Sequence, residues 1–225
     1  MAFNTSFLPF CDEFGNLTIN PDKPERGILI GVTYLCVAAV SIPMSSFIFC
    51  VFSTPALFKL SCYKLLVFTI LADILNLTNA AFLSGFASIM QISFCNEYYW
   101  YFYYQFWGLG LWYYYCISSM VLAFNRMLNF ANHRLSEILF GGCKPWFWLV
   151  FMIAYCCFGL WISPTIEIYI PNVGVFIDGI PCYFHIYQNF FKIGTVTTCY
   201  VVMLINLRRM KNTIGLADNT QIPVG

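Results

Sequence analysis

Residues Trp107 to Arg126 read WGLGLWYYYCISSMVLAFNR, and this stretch decides the fold. It carries no charge until Arg126, which closes it. An apolar run of roughly 18 or more residues ending at a cation predicts a membrane-spanning helix whose cytoplasmic end is the arginine. Gly108 and Gly110 would weaken a soluble helix, but within a bilayer they let a neighbouring helix approach closely. Aromatic residues crowd in ahead of the stretch, from Tyr98, Tyr99 and Trp100 to Tyr103, Tyr104 and Phe106. The segment predicts the central helix of a bundle.

Composition supports this reading. The chain has 225 residues, of which 60% are hydrophobic, 20% aromatic and only 9% charged. Soluble domains carry roughly 25% charged residues, so too few are present to cover a water-facing surface. A net charge of +1 excludes the basic stripes of a nucleic-acid binder. Most of the eleven cysteines lie inside apolar runs, which is not the pattern of a disulfide scaffold. An integral membrane protein follows.

Five apolar segments predict an all-α helical bundle, with spans at about 27–52, 65–92, 98–128, 146–169 and 189–207. Pro43 is expected to kink the first, which a bilayer tolerates because neighbours satisfy the freed carbonyl. Pro145 opens the fourth, at a position where its missing N–H costs nothing. Residues 171–188 read as a loop rich in Gly and Pro, holding Asp178, Cys182 and His185. Residues 1–26 form a polar segment with two Asn-x-Ser/Thr sequons, at Asn4 and Asn16, which predict glycosylation on the outer side. A third sequon at Asn76 lies inside a span, out of reach of that chemistry. No removable signal peptide precedes the first span, which is expected to direct insertion itself.

Basic residues set the orientation. With five spans, Lys59, Lys64, Arg126, Arg134, Lys144, Arg208, Arg209 and Lys211 share one side, and Lys23, Arg26 and Lys192 the other. The crowded side is cytoplasmic by the positive-inside rule, so the N-terminus is outside and residues 208–225 form a cytoplasmic tail. Cys95 and Cys182 fall in outer loops, where a disulfide can form. Cys11 shares that side, so the pairing is not unique, although Cys95–Cys182 is the expected bond. Cys36, Cys50, Cys116, Cys156, Cys157 and Cys199 read as small buried hydrophobes.

Asp73 is the one acid at bilayer depth, and Asn76 and Asn79 extend its polar face. Such a carboxylate either glues helices as a neutral, hydrogen-bonded acid or forms an ion or water site. Arg126, next to the neutral Asn125, reads either as an interfacial arginine snorkelling to headgroups or as a gate. The aromatic run serves mainly as packing and interface belt. Its outer half, with Trp107, Trp112 and nearby Cys116, is also a candidate pocket for a small apolar or aromatic ligand. There is no Gly-rich phosphate loop, HExxH or CxxC site, and no Ser/His/Asp set at plausible depth. His133 and His185 lie on opposite sides and cannot share a metal. Neither an enzyme, a cofactor nor a metal site is expected.

The chain resembles the nematode chemoreceptor-type G-protein-coupled receptors, most closely serpentine receptor class T. The likeness rests on Ser61-Cys62-Tyr63-Lys64-Leu65, Asp73 and Phe94-Cys95. Its most specific block is Gly108-Leu109-Gly110-Leu111-Trp112, followed by Cys116 and Asn125-Arg126, with Trp146 and Trp148 beyond. The resemblance implies a rhodopsin-like seven-helix receptor that binds an environmental small molecule and activates a heterotrimeric G protein. It places Asn125 and Arg126 at the cytoplasmic gate, where related receptors carry Asp-Arg-Tyr. Here the residues are Asn125-Arg126-Met127, so an acid-locked arginine is not expected. The partners are thus a ligand of unknown identity, a G protein, the lipid bilayer and other receptor copies in an oligomer.

Five spans where the family has seven lead to a further expectation. A receptor lacking its sixth and seventh helices, as a truncated product, would not signal by itself. A helix-bundle partner that modulates the trafficking of full-length receptors is one alternative. A small transporter or channel with Asp73, Asn76 and Asn79 along a path is another, though no inverted repeat is visible. The site of residence is the plasma membrane, or the endoplasmic reticulum if the chain is retained.

Overall fold

The computed structural model describes residues 24–92, 98–163, 167–178 and 183–219. Its helices in chain order are α1 (Pro24–Phe52), α2 (Pro55–Phe58), α3 (Ser61–Leu77), α4 (Ser84–Met90), α5 (Tyr98–Ala131), α6 (His133–Phe140), α7 (Lys144–Ile162) and α8 (Tyr183–Asn219). A π-helical turn, Thr78–Leu83, joins α3 to α4 into one continuous rod. Between α7 and α8 stand two short strands, β1 (Glu167–Ile170) and β2 (Val175–Asp178).

Four of these segments are long and apolar enough to cross a membrane by length and composition: Glu25–Phe52, Ser61–Met90, Lys144–Ile162 and Tyr183–Met210. The helix α5 is longer than any of these four segments, at 34 residues or about 51 Å. Its tyrosines and tryptophans lower its hydropathy, which explains why it stands apart from the four. α5 packs against α3, α7, α8, α6 and β1, so the least oily long helix is the one surrounded by the others. Tyr113 and Cys116 on it have no exposed surface. The main core cluster gathers Ile117, Met120, Val121 and Leu128 of α5 with Leu65, Phe68, Phe140 and Met152. Outside this core the bundle is oily: Phe47 of α1 is 70% exposed and Phe191 of α8 66%. Patches of that kind covering whole helices are lipid-facing surfaces, not water-facing ones. The chain is a multi-pass membrane protein.

α1 crosses α4 at Gly31 and Gly85. A Cβ on Gly31 would stand 2.7 Å from the Gly85 carbonyl oxygen, so only glycine lets the two backbones meet there.

Several ends differ from the sequence reading. α7 stops at Ile162, not Tyr169, because Ser163 precedes Pro164 and a residue before proline is pushed out of the helical region. Ser163 sits at φ −103° and ψ 83°. Residues 167–178 are an antiparallel hairpin with Tyr169 opposite Phe176, not the end of a span followed by a loop. α8 begins at Tyr183, ahead of the expected Asn189, and carries His185 in its first turn. It continues to Asn219, so Arg208, Arg209 and Lys211 lie on a helix and not on an irregular tail.

The hairpin is pinned to α1 and α4. The Tyr34 hydroxyl donates to the Gly174 carbonyl at 2.7 Å. The Tyr169 hydroxyl lies 2.7 Å from Ser88 Oγ, and Ser88 also reaches the Pro171 carbonyl at 3.2 Å. Burial pushes the Tyr169 phenol up to about 12, the bond from Ser88 offsetting only part of that.

Candidate functional site

The π turn positions the first polar group. An extra residue in a helical turn frees backbone acceptors, and the Asn79 carbonyl accepts from the Tyr104 hydroxyl at 2.9 Å and from Ser84 Oγ at 3.3 Å. The Asn79 side chain fits against α5 only because residue 108 is glycine. A Cβ there would lie 2.3 Å from Asn79 Nδ2. Asn76 Nδ2 donates to the Leu111 carbonyl at 3.1 Å, so two asparagines grip α5 a turn apart. Asp73 turns the other way and accepts from Ser45 Oγ of α1 at 3.3 Å. The three polar residues therefore serve two interfaces and do not line one path.

The three candidate pocket residues also separate. Trp107 is 67% exposed and borders an apolar groove of about 700 Å³ between α5 and α7, with Tyr114, Cys156 and Trp161. Trp112 and Cys116 face α8 instead. Trp112 Nε1 donates to Asn189 Oδ1 at 3.1 Å, the Cys116 thiol reaches the same oxygen at 4.0 Å, and the Trp112 ring stacks on His185 with centroids 6.4 Å apart. The Lys192 ammonium lies over the Trp112 ring at 4.8 Å and the Tyr115 ring at 4.2 Å, within cation–π range.

Below that cation is a cavity of about 410 Å³ between α3, α5 and α8, lined by Thr69, Tyr115, Ser119, Lys192, Val196 and Tyr200 among others. Lys192 stands sixteen residues before Arg208 on one helix, or about 24 Å from the basic cluster of Arg208, Arg209 and Lys211. It lies inside the span, as the expected span 189–207 placed it.

Toward the C-terminal end of α5, Asn125 is 1% exposed. Its Oδ1 accepts from Asn129 Nδ2 at 3.1 Å, and Asn129 Oδ1 accepts from Ser136 Oγ at 2.9 Å. Asn125 Nδ2 is buried with no partner among the described residues. Asn132 caps α6 by accepting from the Leu135 N–H at 3.1 Å. This amide chain holds α6 against α5. Arg126 beside it is half-buried and forms no ion pair among the described residues. His133 and Glu137 pair at 3.9 Å on the exposed side of α6, where such contacts contribute little.

Asn129, Ser136, Asn189 and Lys192 are the site residues the sequence reading missed. Asn129 and Ser136 are separated by a helix break. For Lys192 the signal was present, since Gln188 and Lys192 stand four apart inside an apolar run. Cys95 and Cys182, with the alternative Cys11, lie outside the described residues, as do the sequons at Asn4 and Asn16.

No curated protein matches the chain. The model of the family described as serpentine type 7TM GPCR chemoreceptor Srt matches residues 10–221, nearly the whole length. That stretch runs from the segment ahead of α1 through the cavity and the amide chain to the end of α8, and the chain belongs to this family of serpentine chemoreceptors.

Proposed function

We propose that the chain is a chemosensory receptor of the plasma membrane that takes a small molecule into the bundle and passes its binding to a heterotrimeric G protein. One observation carries this reading. α5 runs unbroken from Tyr115 and Ser119 at the cavity to Asn125 and Arg126 at the inner end, eleven residues or about 17 Å from Tyr115 to Arg126. A shift of α5 forced by an occupant of the cavity would reach Arg126 directly, as one rigid element shared by two sites. The N-terminus outside and the C-terminus inside put the cavity's outer approach toward the environment and Arg126 toward the cytoplasm. Catalysis has no place in this scheme.

Coupling also needs an element whose two positions are favoured differently by ligand and G protein. The long helices α3, α7 and α8 pack around α5, and we assign that moving part to further receptor helices packed against these. The test is to express residues 1–225 alone and together with a separate polypeptide carrying the sixth and seventh helices of a relative, with a G-protein reporter and a panel of environmental chemicals. A response only on co-expression, abolished by Arg126→Ala, supports the reading. A full ligand response from residues 1–225 alone, or one indifferent to Arg126→Ala, contradicts it.

A further inference from the structure

Lys192 and the cavity beneath it call for a ligand of definite charge. A lysine at bilayer depth is costly unless paired or hydrated, and no carboxylate lies within ion-pair distance of it among the described residues. Asp73, the acid nearest that depth on the surrounding helices, is hydrogen-bonded by Ser45 of α1 and lies within electrostatic reach of Tyr115, but forms no ion pair with Lys192. The Trp112 and Tyr115 rings offset part of the cost through their π faces but supply no counter-charge.

The cavity wall points the same way. It joins apolar surface from Leu122, Ile193 and Val196 to the side chains of Tyr115 and Tyr200, and Lys192 is the charged residue among those that line it. Its volume of about 410 Å³ lies within the range of small-molecule sites.

We infer that this cavity binds a small carboxylic acid with an apolar tail, the carboxylate meeting Lys192 and the tail lying along Ile193 and Val196. Charge-assisted hydrogen bonds to an ammonium are the strong kind, so the acid is selected over the alcohol or amine of equal length. The inference deepens the receptor reading and rests on it for its biological purpose. Binding is measured without a G protein, so a failure to signal and a failure to bind are separate results.

The experiment uses the full chain in phosphatidylcholine nanodiscs and measures saturable binding of radiolabelled decanoate above that of empty discs, with decanol and decylamine as competitors. The expected result is decanoate binding at least tenfold tighter than that of either competitor. It should weaken at least tenfold in Lys192→Met and stay within about threefold in Lys192→Arg. Thr197→Trp, which fills the cavity without touching the charge, should abolish it. Helix content and melting temperature are followed for each variant; Lys192→Met removes a charge from the bilayer and should fold at least as well as the native chain. Equal binding of decanoate and decanol, or undiminished binding in folded Lys192→Met, would overturn the inference. Decanoate binding lost when phosphatidic acid enters the disc would assign the cation to a lipid headgroup, and would overturn it too.

Discussion

α1 and α5 divide the work of a membrane helix between them. α1 is oily on nearly every side and leaves Leu29, Val40 and Phe47 exposed. α5 carries the glycines, tyrosines and buried asparagine, and is enclosed by α3, α7 and α8. Hydropathy is thus highest where a helix meets lipid and lower where it meets protein. A helix shielded by neighbours can hold polar atoms as long as each finds a partner. α5 does so at Leu111, Tyr104, Trp112 and the side-chain oxygen of Asn125, whose Nδ2 is the exception among the described residues. α1, with fewer neighbours, spends its polar groups on the hairpin through Tyr34 and on Asp73 through Ser45.

The contrast is best broken at Gly108. Gly108→Val places carbon where Asn79 Nδ2 now lies, forcing α5 off the π turn, at about 3 kcal/mol. The same exchange at Gly194 of α8, where an added Cβ meets nothing within 4 Å, should change the melting temperature little. Thermal unfolding in detergent compares the two. Equal effects at both sites would mean that α5 is not tightly enclosed.

Asp73 tests the boundary between the two helices. Asp73→Asn keeps a hydrogen-bond partner for Ser45 without a charge, whereas Asp73→Lys brings a cation to bilayer depth, a difference of about 2 kcal/mol. Surface expression should fall for Asp73→Lys and hold for Asp73→Asn. Equal expression would show that the α1–α3 interface is wet.

At the C-terminal end of α5, Asn129→Ala removes both links of the amide chain and leaves Asn125 Oδ1 and Ser136 Oγ without it. A loss of about 1–2 kcal/mol is expected, with faster hydrogen exchange over α6 and little change over α3. An unchanged exchange rate in α6 would show that other contacts hold it.

The smallest effect belongs to the hairpin. Tyr169→Phe gives up the bond to Ser88, at about 1 kcal/mol. The raised phenol also gives a pH dependence of fixed sign. A group whose folded pKa exceeds its unfolded value contributes stability that is complete below about 10. It is lost as pH rises through about 12. The native hairpin should therefore loosen in that alkaline window, seen as quenching or exchange near Tyr169, and the Tyr169→Phe hairpin should not show this step.

The bundle was legible in the sequence because long apolar runs have one physical reading, and α5 announced itself by its glycines and by Arg126. The hairpin was not, because Glu167-Ile168-Tyr169-Ile170 continues the oily composition of α7 and only Ser163-Pro164 marks the break. Trp107 and Trp112 looked like one aromatic site, but five residues on a helix is 500°, which sends them to different faces. Asp73, Asn76 and Asn79 looked like one polar face. The π turn and the separate claims of α1 and α5 divide them. Lys192 fell inside the expected span 189–207 but was counted only as an outer-side charge, because a lysine's ring contacts across helices leave no local pattern. The amide chain from Asn125 to Ser136 crosses two helices, and no local pattern reports such a contact.

The enclosure of α5 is open to direct measurement. The chain is reconstituted with lipids carrying a photoactivated diazirine in the acyl chain, irradiated and mapped by mass spectrometry. Labels should concentrate on α1 around Phe47 and on α8 around Phe191, and be absent from Tyr113 through Cys116. Labelling of Tyr113 or Cys116 at the level of Phe47 would place α5 against lipid and contradict the account.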